Sequence, residues 1–336
     1  MPLFTPIRTL SCAALALAGC ASVAPTPDVV DPAVRTPVPE QRADYVPSAD
    51  SAALALRYSR VERDLINRGL LRTDGGGPDA PFDSRVLTEN FLRIALFDEF
   101  VPISNRIVAR ETASPLRRWN DGMEIGLHFG ASVNDEKRRR DRASVEALAK
   151  RLADASGHPV TTVEGKGNMT VFVVDEDERR ALGPALRELV PGLSDSVVNA
   201  VTEMPPTTFC MMIAFSTDDQ PYVYRRAIGV IRAEHPPLLR RSCFHEEIAQ
   251  GMGLANDSPE ARPSIFNDDE EFALLTRQDE LMLTILYDSR LQPGMTATQA
   301  QPLIRMIAEE LLPPATVLDA SNTLGSDDTP PTTEGL

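Results

Sequence analysis

Apolar residues at helical spacing predict two helices early in the chain. In residues 51–71 and 84–100, apolar positions recur every three or four residues, as on the buried face of an amphipathic helix. The residues that carry this pattern are Leu54, Tyr58, Val61 and Leu65 in the first segment and Leu87, Phe91, Ile94 and Ala95 in the second. The spacing therefore predicts N-terminal helices within residues 51–112.

Beyond Trp119 the pattern changes to alternation, which indicates strands. Ile125, Leu127 and Phe129 alternate with polar or small residues, as in a half-buried strand. Helices are then predicted over 135–156 and 176–190, and strands over 169–174, 209–215 and 227–233. Strands that alternate with helices and are followed by helices alone indicate an α+β fold with a mixed sheet.

The first twenty residues have the layout of a secretory signal. Arg8 precedes the apolar run Leu10–Ala18, which is too short to span a bilayer, and small residues follow it. Residues Leu17–Cys20 resemble the lipobox of bacterial lipoproteins. This resemblance implies removal of residues 1–19, lipidation of Cys20, and an outer-membrane lipoprotein facing the periplasm. The inner membrane stays an alternative, as does an apolar segment with an incidental cysteine.

The ends of the remaining chain differ in composition from its centre. Six prolines lie in residues 20–50 and predict an extended spacer. Residues 314–336 contain acidic residues and no Lys or Arg, which predicts a disordered acidic tail. A single domain over residues 51–313 is left between them.

Charge limits the possible partners. The chain has 34 Lys and Arg residues against 49 Asp and Glu, a formal net charge of −15. Because nucleic-acid surfaces need a basic excess, this balance argues against a nucleic-acid partner. The basic run Lys137–Arg140 is flanked by Glu136 and Asp141 and is interpreted as a solvated helix face.

The segment from Glu246 to Asn256 contains a degenerate metal motif. It resembles the metzincin metallopeptidase signature H-E-x-x-H-x-x-G-L-x-H, with Glu247, Gly253 and Leu254 identical to it. The positions of the three zinc histidines are held by Glu246, Gln250 and Asn256. Ser264–Asn267 is similar to the Met-turn of that superfamily, with Phe266 in place of methionine, and Leu275–Tyr287 is similar to its closing helix. The resemblance implies a zincin-like domain over about residues 116–313.

The whole chain also resembles a family of uncharacterised lipoproteins of Gram-negative bacteria. The likeness rests on residues 243–257, 264–268, 286–287 and 293–295. Membership implies the same layout and supplies no activity.

Loss of the zinc histidines argues against peptidase chemistry. A trio of one carboxylate and two amides should bind Zn²⁺ poorly, and it makes a weak Ca²⁺ or Mg²⁺ site. Hydrogen bonds among Glu246, Gln250, Asn256 and nearby backbone are the simplest role for these side chains. No metal or cofactor is therefore expected. His245 is expected to be a partly exposed helix residue.

The cysteines suggest a covalent link. With Cys20 lipidated, Cys210 and Cys243 are the remaining mature thiols, and in an oxidising compartment they are expected to form a disulfide. A catalytic Cys243 is the alternative and would need a nearby base.

Three hypotheses of function follow. The first is a lipid-anchored envelope protein with a non-catalytic zincin-like module that has a binding or structural role. The second is an active metal-dependent hydrolase, with Glu247 as general base and Glu246, Gln250 and Asn256 as unusual ligands. The third places the function in the N-terminal helices, as a docking surface for an envelope protein.

Overall fold

A mixed six-stranded sheet with helices on both faces organises the chain in the computed structural model, which describes residues 45–103, 106–267 and 269–313. The elements from Tyr45 onward belong to one compact unit. The predicted signal peptide, Cys20, most of the predicted spacer and the predicted tail lie outside the described residues. None of the described helices is long and apolar enough to cross a membrane.

The helices and strands alternate through the centre of the chain. The helices are α1 Ala49–Asn67, α2 Ser84–Ala95, α3 Asp135–Ser156, α4 Glu176–Arg180, α5 Gly183–Leu189, α6 Asp195–Thr202, α7 Pro237–Gln250, α8 Arg277–Leu286 and α9 Ala297–Leu311. The strands are β1 Phe97–Ile103, β2 Arg106–Ala113, β3 Arg118–Trp119, β4 Met123–Phe129, β5 Val160–Val163, β6 Met169–Val174, β7 Cys210–Thr217 and β8 Gln220–Arg232. The fold is therefore α+β with a mixed sheet, as the alternation predicts.

Most strand pairs of the sheet are parallel. The order is β3-β8-β6-β4-β5, and β7 pairs antiparallel with β8. Every residue of β6 is buried, as expected for a central strand between parallel neighbours with both faces covered. The hairpin of β1 and β2 forms a separate two-stranded sheet.

Two of the predicted helices differ from the observed elements, for different physical reasons. The predicted helix over 84–100 ends at Ala95, and Phe97 already begins β1. Phe97, Phe100 and Val101 favour a strand as aromatic and β-branched residues do, although their spacing also fits a helix. The predicted helix over 176–190 is two helices, α4 and α5. Pro184 lies in the first turn of α5, where its missing N–H has no helical acceptor to lose.

The first helix begins two residues before residue 51, the predicted start of the domain. Helix α1 starts at Ala49, with the side chain of Ser48 accepting a hydrogen bond from the Ser51 N–H. Before it, the Tyr45 hydroxyl donates to the carboxylate of Asp175. Residues 45–50, assigned to the spacer by composition, are therefore bound to the domain.

Strand β7 alternates its side chains between two apolar clusters. Met212 and Ala214 pack with the large cluster that contains the buried side of α7. Met211, Ile213 and Phe215 pack with a smaller cluster built from β6, β8 and the helices that follow β6. Both faces of β7 are thus covered. Within the described residues β8 is the strand that pairs with β7, so the other edge of β7 is an open edge of the sheet.

Candidate functional site

Helix α7 runs beneath the open edge strand and supplies the motif residues. Pro236 and Pro237 open it, and its N-cap has no side-chain hydrogen bond of its own. Instead, the carboxylate of Glu62 in α1 accepts from the Leu239 N–H at 2.8 Å. A carboxylate at this position stabilises the positive end of the helix dipole.

The turn that ends α7 requires glycine. Gly253 has a φ of 127°, and a Cβ there would lie 2.3 Å from the carbonyl oxygen of Arg117. Two side chains fix the turn: the Trp119 indole N–H donates to the Gly251 carbonyl at 2.8 Å, and the Tyr287 hydroxyl donates to the Met252 carbonyl at 3.0 Å. The matched motif glycine is thus a backbone requirement.

A groove of about 660 Å³ follows the open edge of β7. Five consecutive β7 residues, 210–214, line it. Because neighbouring strand residues point to opposite faces, a consecutive run of lining residues means that the groove meets the strand at its edge. The N-terminal end of α6 forms one wall with Ser194, Ser196 and Val197, and α7 forms the other with Glu246, Glu247 and Gln250. This cavity is called the edge groove below.

The edge groove is acidic. The carboxylates of the described residues that line it are Asp98, Glu246, Glu247, Asp257 and Glu270. Arg117 is the basic residue among these described lining residues, and its guanidinium forms an ion pair with Asp98. The groove therefore favours cationic ligands over anionic ones.

The residues at the zinc-ligand positions do not converge. Glu246 and Gln250 line the edge groove, and the Gln250 amide donates to Asp257 at 3.1 Å. Asn256 is buried and turned towards α2, where its side-chain amide donates to the carbonyl of Arg93 at 3.0 Å. Glu247, the candidate general base, is buried and also lines the groove. Asn256 thus bonds nearby backbone, as expected, whereas Gln250 bonds a side chain outside the trio, and the three side chains do not form one cluster.

A metal site is also not evident elsewhere in the described ranges. No group of three or more His, Cys, Asp or Glu side chains among these residues is arranged to hold a metal ion.

The Met-turn-like loop is held by one buried carboxylate. Asp279, at the start of α8, accepts from the Ser264 hydroxyl at 2.5 Å, the Ile265 N–H at 3.1 Å and the Thr276 N–H at 2.7 Å. Burial raises the pKa of Asp279 to about 6, against the lowering effect of these hydrogen bonds. Phe266 is buried in the core and does not line the edge groove. The loop thus supports the core beneath the groove.

The predicted disulfide is present. Cys210 and Cys243 are bonded, with Cα atoms 5.9 Å apart. The bond joins the first residue of β7 to the middle of α7, so it ties one wall of the edge groove to the strand. A catalytic thiol at Cys243 is incompatible with this bonded state.

His245 is buried, contrary to the expectation of partial exposure. Only 3% of its surface is exposed, and its Nδ1 accepts the Leu275 N–H at 3.0 Å. Burial, together with the charges of Arg241 and Arg151, lowers the pKa of His245 well below its usual value. Its imidazole is therefore neutral and acts as a hydrogen-bond acceptor.

This burial predicts a loss of stability in acid. The folded-state pKa of His245 lies below the unfolded value of about 6.5, so stability is present above that pH and is lost as pH falls below it. When the pH falls from 7.5 to 5.5, protonation of His245 in the unfolded state should lower the free energy of unfolding by about 1.4 kcal/mol. His245→Asn, which keeps an acceptor near the Nδ1 position, should reduce the pH dependence by that amount in urea unfolding. His128→Asn, at an exposed strand residue, is the control; equal pH dependence in all three proteins would contradict the assignment.

Sequence reasoning missed a second set of residues around α3 and α7. A larger groove, of about 840 Å³, is lined by α1, α3 and α7 and includes Lys137, Arg140 and His235. In the run Lys137–Arg140, Lys137, Arg139 and Arg140 are exposed, as the interpretation of a solvated face expects. Lys137 and Arg140 also line this groove, whereas Arg138 donates to the Val133 and Gly130 carbonyls. The helical spacing of Lys137, Arg140 and Ser144 was the signal available in the sequence.

Comparison with known proteins gives a family. The model of the family described as "Protein of unknown function (DUF2927)" matches residues 84–306, about two thirds of the chain. The match covers the sheet, α7 and the edge groove, and it begins after α1. None of the curated proteins compared matches the chain.

Proposed function

Since this chain belongs to the DUF2927 family, whose description names no activity, we propose its function from the edge groove: it binds an extended, basic peptide segment without cleaving it. One observation carries the proposal. The groove runs along the edge of β7, with walls from α6 and α7 on the two sides of the strand. An added strand fits such a place, because main-chain groups of the edge strand can pair with those of the peptide.

The groove's charge supports a basic ligand. Alternate side chains of an added strand would point to its two walls, and carboxylates from α7 lie on one of them. Lysine or arginine side chains of the peptide would meet Glu246 and Glu247 there. Main-chain pairing would supply affinity, and these charges would supply selectivity and a faster encounter.

The order of elements supports a zincin-like module. An antiparallel edge strand above a helix, a glycine turn, a Met-turn-like loop and a closing helix follow one another as in the metzincin pattern. The position of Asn256 against α2 supports a non-catalytic module, because the metal of an active hydrolase would need that third ligand beside Glu246 and Gln250.

A peptide titration tests the proposal. The probes are acetyl-(Lys-Val)₄-amide and its acidic counterpart, acetyl-(Glu-Val)₄-amide, with the full chain carrying Cys20→Ser so that no lipid is attached. In fluorescence anisotropy the lysine peptide should bind at least tenfold more tightly than the glutamate peptide. Methylating alternate main-chain nitrogens of the lysine peptide should weaken binding by a similar factor, because the added strand loses its donors.

Substitutions and metal content give the controls. Glu246→Gln should weaken binding of the lysine peptide about fivefold, as a charge pair worth about 1 kcal/mol is lost. Asp218→Asn, in the exposed turn after β7 and outside the groove, should leave it unchanged. Equal binding of both peptides would contradict the proposal. So would stoichiometric metal that is lost on Glu246→Ala, since it would favour the hydrolase.

The proposal includes the location of the protein in the cell envelope. The order of Arg8, an apolar run and a lipobox-like sequence supports lipid attachment at Cys20 and a position on the periplasmic side of the outer membrane. Labelled palmitate should be incorporated into the wild-type protein and absent from the Cys20→Ser variant in growing cells. Equal labelling of the two would contradict the anchor.

A further inference from the structure

The larger groove is lined by more basic than acidic residues, although the chain as a whole has an acidic excess. The described residues that line it include five cationic side chains: Lys137, Arg140, Arg151, Arg240 and Arg241. Two carboxylates, those of Asp141 and Glu234, accompany them. The chain as a whole has the opposite balance, 49 acidic against 34 basic residues. This cavity is called the cationic groove below.

Two contacts show the relative direction of helices α3 and α7, which form two walls of the cationic groove. At one end, Arg240 of α7 pairs with Asp141 of α3 at 3.2 Å, and both are buried. At the other end, Arg151 of α3 and His245 of α7 bind the same residue, Leu275, through its carbonyl and its N–H. Helices α3 and α7 therefore run in the same direction along the groove.

The polarity of the groove changes along this direction. Lys137 and Arg140 line the end near Asp141, and Ala143, Ala147 and Leu148 follow on α3. Phe244 lies correspondingly further along α7 than Arg240. From Lys137 to Leu148 the helix rises about 16 Å. A cationic end thus leads into a stretch lined by apolar side chains, and Arg151, which pairs with Glu280 at 2.7 Å, lies at the far end of that stretch.

The groove contains polar atoms whose hydrogen-bonding capacity is unused. Lys137 has no ion pair within the described parts of the chain. Desolvation and the nearby Arg240 lower the pKa of Lys137, and the carboxylates of Asp141 and Glu234 act against this lowering. Four buried side-chain atoms of its lining residues have no hydrogen-bond partner in these same ranges: the Ser144 Oγ, the Arg240 Nε, the His235 Nε2 and the Glu234 Oε2. Buried polar atoms of this kind are uncommon in folded proteins.

We propose that the cationic groove binds a single-chain anionic amphiphile, with its carboxylate or phosphate head at Lys137 and Arg140 and its aliphatic chain along Ala147, Leu148 and Phe244. The volume is within the usual range for small-molecule sites. The head group meets Lys137, which has no ion pair among the described residues, beside Arg140, which pairs with Glu136. The aliphatic chain lies on the exposed Ala147, above the buried Leu148 and Phe244. This site is separate from the edge groove, and its existence does not depend on peptide binding there.

Calorimetric titration of the full chain carrying Cys20→Ser tests the proposal. Dodecanoate and dodecyl phosphate, below their critical micelle concentrations, are the probes, and dodecanol and acetate each lack one of the two required parts. Dodecanoate should bind with one-to-one stoichiometry and at least fivefold more tightly than dodecanol, and acetate should show no binding. The relative affinity of dodecyl phosphate identifies which head group the site prefers.

Variants on exposed positions of α3 distinguish the two ends of the groove. Lys137→Gln should weaken dodecanoate binding five- to tenfold and leave dodecanol binding unchanged. Ala147→Trp should abolish binding of both, because the ring fills the apolar stretch. Lys150→Gln, on the same helix but outside the groove, is the matched control and should bind as wild type does. No binding of dodecanoate, equal affinity for dodecanol, or unchanged binding in Lys137→Gln or Ala147→Trp would overturn the proposal.

Discussion

Replacing Glu176 by Gln is expected to lower the free energy of unfolding by about 3–5 kcal/mol, the largest effect of any single substitution considered. Glu176 is buried and accepts hydrogen bonds from two buried guanidinium groups, Arg179 at 2.7 Å and Arg232 at 2.7 Å. Burial alone would raise the pKa of Glu176, but these hydrogen bonds outweigh it and lower the pKa. Removing the carboxylate charge would leave two cations in the interior without their counter-ion.

The Glu176→Gln substitution should also affect the edge groove. The other donors of Arg232 hold the carbonyls of Met204, Pro205 and Thr208, each at 2.9–3.0 Å. Thr207 and Thr208 line the groove next to β7. Because Glu176 orients Arg232, its replacement should also loosen this segment and weaken peptide binding.

Urea unfolding followed by circular dichroism measures the effect. Asp177→Asn changes the same chemical group at the next, exposed position and should stay within about 0.5 kcal/mol of wild type. A loss below about 1 kcal/mol in Glu176→Gln would contradict the role assigned to the buried carboxylate.

Removing the disulfide is expected to cost about 3–4 kcal/mol. Cys210 and Cys243 are 33 residues apart, and closing a loop of that length removes this much chain entropy from the unfolded state. The Cys210→Ala/Cys243→Ala variant should therefore unfold at lower urea concentration. Peptide binding should weaken as well, because the bond joins β7 to the α7 wall of the edge groove.

Reduction of the wild-type protein provides the matched comparison. In the presence of dithiothreitol, wild type should lose most of the stability difference, whereas the double alanine variant should be unaffected. Alkylation of Cys210 and Cys243 in the oxidised, denatured wild-type protein, located by peptide mapping, would contradict the bond, and so would equal unfolding midpoints of the two proteins without reductant.

The sequence predicts best those elements whose pattern has one interpretation. Helix α3 and strand β6 have the predicted boundaries, because a long amphipathic repeat and a short, wholly apolar run bounded by polar residues fit few alternatives. The hairpin of β1 and β2 was missed because Phe97, Phe100 and Val101 can also extend a helical pattern. Helix α6 and strand β5 were missed because they are short.

The sequence pattern could not predict which distant residues the fold brings together. Motif spacing placed Glu246 and Gln250 on one helix face, and both line the edge groove. It could not show that Asn256 turns to α2, since that depends on the packing of a helix more than 150 residues earlier in the chain. Likewise, the hydrogen-bond donor to His245 is Leu275, 30 residues later in the chain, and the cationic groove depends on how α3 packs against α7.

Hydrogen exchange in β7 tests the central claim most directly, which is that a peptide adds a strand to this edge. In an antiparallel pair, alternate residues direct their N–H and C=O groups away from the partner strand. In the presence of saturating acetyl-(Lys-Val)₄-amide, the outward-facing amides among residues 210–215 should exchange at least tenfold more slowly, and those paired with β8 should change little. Binding of the peptide without slower exchange of any β7 amide would contradict the account.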